Sequence, residues 1–113
     1  MRTYVLEGVN MIDPFKEGRR INERIAKYFK PQAFATQYRI AVVYYPPADG
    51  YNLFFDLTRT RTFSRSIPIG QMSHYDFNDL VLVLRTIRTK YQFTMVYRNF
   101  TDEQLKVLRR QIH

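Results

Sequence analysis

Arg59, Arg61 and Arg65 stand at odd positions in the segment LTRTRTFSRSIPI, residues 57–69, and Thr58, Thr60, Thr62, Ser64 and Ser66 at even ones. In an extended strand, residues two apart point the same way and lie ~6.6 Å apart. Alternate phosphates along one nucleic-acid strand advance by ~6.8 Å. An arginine at every second position can therefore follow alternate phosphates with planar, bidentate donors, and hydroxyls can add contacts to phosphate or sugar. The spacing is common to all strands, so the segment equally fits a solvated hairpin tip. Exposed arginine on a strand edge also keeps sheets from joining edge to edge.

Aromatic residues lie close by in the sequence. Tyr38, Tyr44 and Tyr45 fall in one apolar segment, and Tyr51, Phe54 and Phe55 in the next. Exposed rings interleaved with arginine make stacking platforms for unpaired bases. The candidate nucleic-acid contacts are thus Arg59, Arg61 and Arg65 for phosphate, with Tyr38, Tyr44 and Phe54 for base or sugar. A strand aromatic is more often core than ligand contact, and adjacent pairs such as Phe54–Phe55 suggest burial on both faces.

Catalytic chemistry finds little support. The chain has no cysteine, so a thiol nucleophile, a disulfide and a thiolate metal site are all excluded. No serine sits in a G-x-S-x-G elbow. The four glycines, Gly8, Gly18, Gly50 and Gly70, are isolated and form no phosphate-cradling loop. His74 and His113 are the only histidines. Asp56, Asp76 and Asp79 are the carboxylates to weigh for a metal-dependent nuclease, which needs two or three that converge. Asp76 has a competing role as a helix cap. No cofactor is expected.

These side chains must be positioned by one domain, since 113 residues suggest a single unit, 1–113. Residues 3–9 read as a first strand. Asp13 and Pro14 supply a cap and first position for a helix over 13–29, and Pro31 stops it. Residues 37–45 and 51–59, flanking the turn PPADG, read as strands, and the chain returns through 63–69. Ser73 and Asp76 resemble a capping box before a helix over 75–90, whose apolar residues Phe77, Leu80, Val81, Leu84 and Ile87 recur at helical spacing. Residues 92–99 read as a strand. Thr101 and Gln104 form a second capping box for a helix over 102–111. The order β-α-β-β-β-α-β-α is α+β, an antiparallel sheet covered on one face by helices. The expected core is Val42, Leu53, Phe55, Ile67, Phe77, Val81, Leu84, Met95, Leu105 and Leu108.

A net charge of +8 is spread over both halves of the chain. Such a surface attracts polyanions: nucleic acid or an acidic protein surface. No apolar run approaches a membrane span, and residues 1–10 lack the apolar core of a signal peptide, so a soluble, cytoplasmic protein without a membrane partner is expected. The aromatic content exceeds what one helical layer is expected to cover, which suggests a homodimer. The leading expectation is a small, non-catalytic nucleic-acid-binding protein with a regulator's role. The alternative is a protein-interaction module, such as a small viral or mobile-element regulator that binds a host protein. A metal-dependent nuclease comes third.

Overall fold

The computed structural model describes residues 12–31, 36–59 and 64–112. Three helices lie against one face of a four-stranded sheet. In chain order these are α1 (Pro14–Tyr28), β1 (Thr36–Tyr45), β2 (Gly50–Arg59), β3 (Ser64–Met72), α2 (Phe77–Arg88), β4 (Thr94–Arg98) and α3 (Asp102–Ile112). The expected first strand at 3–9 lies outside the described residues.

The sheet order is β3-β2-β1-β4. β1, β2 and β3 form the expected antiparallel meander, but β4 runs parallel to β1, so the sheet is mixed. The connection explains the difference. β3 occupies one edge, α2 carries the chain back over the helical face, and β4 emerges beside β1 on the far edge, a crossover that delivers a parallel strand.

Each helix begins where its polar residues satisfy free N–H groups. Asp13 caps α1 by accepting from the Lys16 N–H at 3.1 Å, with Pro14 at the first helical position. Asp76, rather than Ser73, caps α2: its carboxylate accepts from the Asp79 N–H at 2.8 Å. Thr101 and Gln104 form the reciprocal capping box of α3, at 3.0 and 3.1 Å.

The core is the helical side of the sheet. Ile40 and Val42 of β1, Leu53 and Phe55 of β2, Ile67, Ile69 and Met72 of β3 and Met95 of β4 meet Ile21, Ile25, Leu80, Leu84 and Ile87 from the helices. Eight of the ten expected core residues are buried; Phe77 and Leu105 pack at its margin. A β-bulge opposite Leu53–Phe54 lets Ile67, Ile69 and Met72 all reach the helices. The Arg24 guanidinium reaches from α1 to the Ile69 carbonyl at 2.7 Å.

The aromatic residues are absorbed the same way. Tyr38, Tyr44, Tyr51, Phe55 and Tyr97 all pack on the helical side and join ring contacts there. One helical layer does cover them, so the aromatic excess behind the dimer expectation is accounted for within a single chain. No helix among the described residues is long and apolar enough to cross a membrane.

Candidate nucleic-acid interface

The β2–β3 register decides where the alternating segment points. Leu57 pairs with Arg65, Thr58 with Ser64 and Asp56 with Ser66. Leu57 packs against the core, so Arg65 opposite it, and Arg59 two residues on, belong to the helical side. Thr58, Ser64 and Ser66 belong to the open side. The alternation thus splits into an arginine row on one face of the sheet and a hydroxyl row on the other. Thr60, Arg61 and Thr62 lie outside the described residues.

On the helical side, the arginines meet the end of α1. Lys27, Tyr28 and Lys30 join Tyr38, Arg59 and Arg65 around a groove of about 230 Å³. Four of its side chains are cationic, and no carboxylate lines it among the described residues. The Arg65 guanidinium lies 5.8 Å from the centre of the Tyr28 ring, a cation–π contact that holds it over α1. The Tyr38 hydroxyl donates to the Lys30 carbonyl and accepts from the Lys30 N–H, both at 3.2 Å. That pair of bonds fixes the chain leaving α1 against β1 and so sets where Lys30 sits.

Tyr38 is therefore a support, not a platform. Its ring is stacked on Phe55 at 5.3 Å and meets the edge of Phe29 at 4.9 Å. Tyr44 sits at the other end of β1, against Tyr51, away from the groove. Phe54 faces the open side, opposite Ala41 and Pro68. Of the six residues singled out from the sequence, the structure brings Arg59, Arg65 and Tyr38 together, and places Tyr44 and Phe54 elsewhere. Lys27, Tyr28 and Lys30 are the groove residues that the sequence hid, because lysines at a helix end read as a solvated face. Pro31, which ends the helix beside the start of β1, was the available signal.

The groove belongs to a wider separation of charge. All three helices run the same way. Phe29, just past α1, touches Tyr91 and Phe93, just past α2, and the Arg88 side chain donates to the Ile112 carbonyl at the end of α3. At the opposite end Phe100 meets Tyr51 and Phe77. Lys27, Lys30, Arg88, Lys90, Arg59 and Arg65 thus share the β2–β3 hairpin end. Asp13, Glu17, Asp49, Asp76 and Asp79 share the other, where Lys16, Arg20 and Arg98 also lie, so the separation is partial. Burial raises the Tyr51 and Tyr75 phenols; Tyr44 and then Asp76 and Asp49 raise Tyr51 further, and Glu17 and Asp79 raise Tyr75 further. Burial and the nearby Asp76 charge also raise the Asp79 carboxyl.

The carboxylates weighed for a nuclease do not converge. Asp56 lies on the open side, accepting from the Ser66 hydroxyl at 2.6 Å, whereas Asp76 caps α2 and Asp79 lies in its first turn, behind the sheet. His74 sits in the turn before α2 with φ 59°, not in the helix, and its Nδ1 is 3.9 Å from the Asp49 carboxylate. Among the described residues no group of three or more potential metal ligands is present.

No family model, no curated protein and no solved structure matches the chain.

Proposed function

We propose that the protein binds nucleic acid, gripping the phosphate backbone with the groove at its hairpin end. The observation that carries this reading is the convergence of Lys27, Lys30, Arg59 and Arg65, from three different elements and the segment after α1, on one groove with no carboxylate in its lining among the described residues. Cations gathered in one concavity make a positive surface that attracts an anionic partner. A phosphate backbone offers evenly spaced anions that arginine can engage bidentately and lysine as a point charge. The net charge of +8 adds long-range attraction. The rival protein-interaction reading rested on an aromatic open face, and the strands turn all but Tyr45 and Phe54 toward the helices.

Fluorescence anisotropy with labelled oligonucleotides at several salt concentrations tests the reading. Log affinity should fall linearly with log salt. Replacing Lys27, Lys30, Arg59 and Arg65 with glutamine should make that slope shallower by about 3, at ~0.7–0.9 per phosphate contact. Absence of binding at micromolar protein in low salt would end the proposal. A slope unchanged by the four substitutions would move the contacts to another surface.

A further inference from the structure

The open face of the sheet carries a second feature that the phosphate groove leaves unused. Its centre is Ala41, whose short side chain sits between Val96 and Phe54 in the cross-strand row Val96–Ala41–Phe54–Pro68. The missing bulk leaves a hollow of about 420 Å³ with Phe54 and Val43 in its lining and Arg39, Asp56, Arg98 and Arg65, which it shares with the phosphate groove, around it. Arg39 lies in the row on one side of Ala41, and Arg98, opposite Val43, in the row on the other. By strand geometry their backbones are roughly 14 Å apart, four residues along and one strand across.

We infer that this hollow binds unpaired nucleobases, so that the chain prefers single-stranded to duplex nucleic acid; this rests on the nucleic-acid reading above. Phe54 is half-buried and, alone among the β1, β2 and β4 aromatics near the sheet centre, joins no ring contact among the described residues, whereas Tyr38, Tyr44, Tyr51, Phe55 and Tyr97 all do. A ring without a stacking partner, beside a hollow one side chain deep, accepts the flat face of a base. Only an unpaired base can present that face, because in a duplex it is stacked within the helix. The polar groups fit the rest of a nucleotide. Arg39 and Arg98 are exposed and complementary to the flanking phosphates. Asp56 accepts from Ser66 and makes no ion pair with Arg39 across the register, so it retains acceptor capacity for a base amino group. The hydroxyl row of Thr58, Ser64 and Ser66 borders the same face. A hollow bordered by three arginines, an aspartate and this many hydroxyls around a small apolar centre is too polar to resemble the core of an obligate dimer interface.

The test compares a labelled single strand of mixed sequence with its duplex by anisotropy, using wild type and the variants Ala41→Leu, which fills the hollow, Phe54→Ala and Arg98→Glu. Circular dichroism checks folding; the exposed Arg98 variant and the open-face Ala41 variant keep the test decisive where Phe54→Ala unfolds the chain. Single-strand affinity is expected to drop by roughly 5- to 150-fold in Ala41→Leu and Phe54→Ala, the worth of one base stack. Duplex affinity should stay within about twofold in those two variants. Single-strand binding that persists unchanged in Ala41→Leu and Arg98→Glu would overturn the inference and leave the groove reading intact. Wild-type protein that binds neither probe would overturn both. A wild-type dimer that Ala41→Leu dissociates, with single-strand binding unaltered, would overturn it by giving the face to a second copy.

Discussion

Replacing Gly18 with alanine sets two effects of known sign against each other. Gly18 lies in α1 where it crosses α2. A Cβ built there falls 2.6 Å from the Thr86 Cβ and 2.7 Å from its Cγ2, where ordinary carbon contacts are ~3.5–4.0 Å. The short distance is to Thr86 Cβ, which side-chain rotation does not move, and the Thr86 hydroxyl is held by the Leu82 carbonyl at 2.9 Å. The helices must therefore separate by about 1 Å, which overpacking series place at ~1–3 kcal/mol. Separation also stretches the bond from the Asn22 side chain to the Thr86 carbonyl, already 3.4 Å, beside an Asn22 Oδ1 that has no partner among the described residues. Against this, alanine is favoured over glycine in a helix interior by ~1 kcal/mol. The balance is a loss of up to about 2 kcal/mol.

Urea unfolding followed by circular dichroism measures it, with Ala26→Gly on the exposed side of α1 as the propensity control, expected to lose ~1 kcal/mol. Adding Thr86→Gly to Gly18→Ala should recover at least ~1 kcal/mol relative to the sum of the single changes, because the contact responsible is gone. If Gly18→Ala proved more stable than wild type by the ~1 kcal/mol that propensity alone supplies, the close crossing would be refuted. The consequence reaches the groove, since this crossing fixes the axial position of α1 and with it Lys27 and Lys30.

Two further outcomes follow from other sites. The Tyr97 phenol is pushed up to about 12 by burial, against the lowering effect of Arg88, and the Tyr51 and Tyr75 phenols are raised too. An unfolded tyrosine loses its proton near 10, so above that pH the unfolded chain binds fewer protons than the folded one and stability falls as pH rises. Stability should be intact below about pH 10 and decline toward pH 12, with a gentler decline in Tyr97→Phe; identical urea midpoints across that window would contradict the burial. Gly50 opens β2 where a Cβ would overlap the Met72 carbonyl oxygen and fall 2.8 Å from its carbonyl carbon. Backbone cannot rotate aside as a side chain can, so Gly50→Ala should cost about 3 kcal/mol or more in urea unfolding, and a cost below ~1 kcal/mol would show that β2 and β3 separate easily there.

The fold was legible wherever one physical signal dominated. Asp13–Pro14 and Thr101–Gln104 mark helix starts by their own chemistry, and the apolar spacing of α2 outweighs the alternation in its LVLVL run. Ser73 misled because a capping box needs only two residue types three apart, whereas Asp76 caps by itself. The direction of β4 was hidden because periodicity reports which residues share a face and says nothing about which edge a crossover reaches. The same gap hid the site. Alternation separates two rows at 58–59 and 64–66, but which row meets the helices depends on the Leu57–Arg65 register, which is set by the core contacts of residues around it. Tyr38 and Tyr44 were turned inward by the β1 residues between them, Ile40 and Val42, which are fully buried.

The charge separation needs a reason beyond helix stability, and the arginines of the hairpin supply the discrimination. Carboxylates at helix N-termini and cations at C-termini complement the helix dipole, so three parallel helices gather acid at one end and base at the other without any ligand. Asp76, Asp102, Glu103, Lys27, Arg85, Arg109 and Arg110 all have that local explanation. Arg59 and Arg65 do not: they come from strands, and they add positive charge to the end that the helices have already made basic. For Arg65 the structural return is its contact with the Tyr28 ring, worth ~0.5–1 kcal/mol at an exposed site. Replacing Arg65 with glutamine should therefore change stability by no more than about 1 kcal/mol while weakening oligonucleotide binding at low salt and flattening the salt slope by about 0.7–0.9. Comparable losses in stability and in binding would instead make Arg65 a structural element of the hairpin, and its place in the groove would then need another explanation.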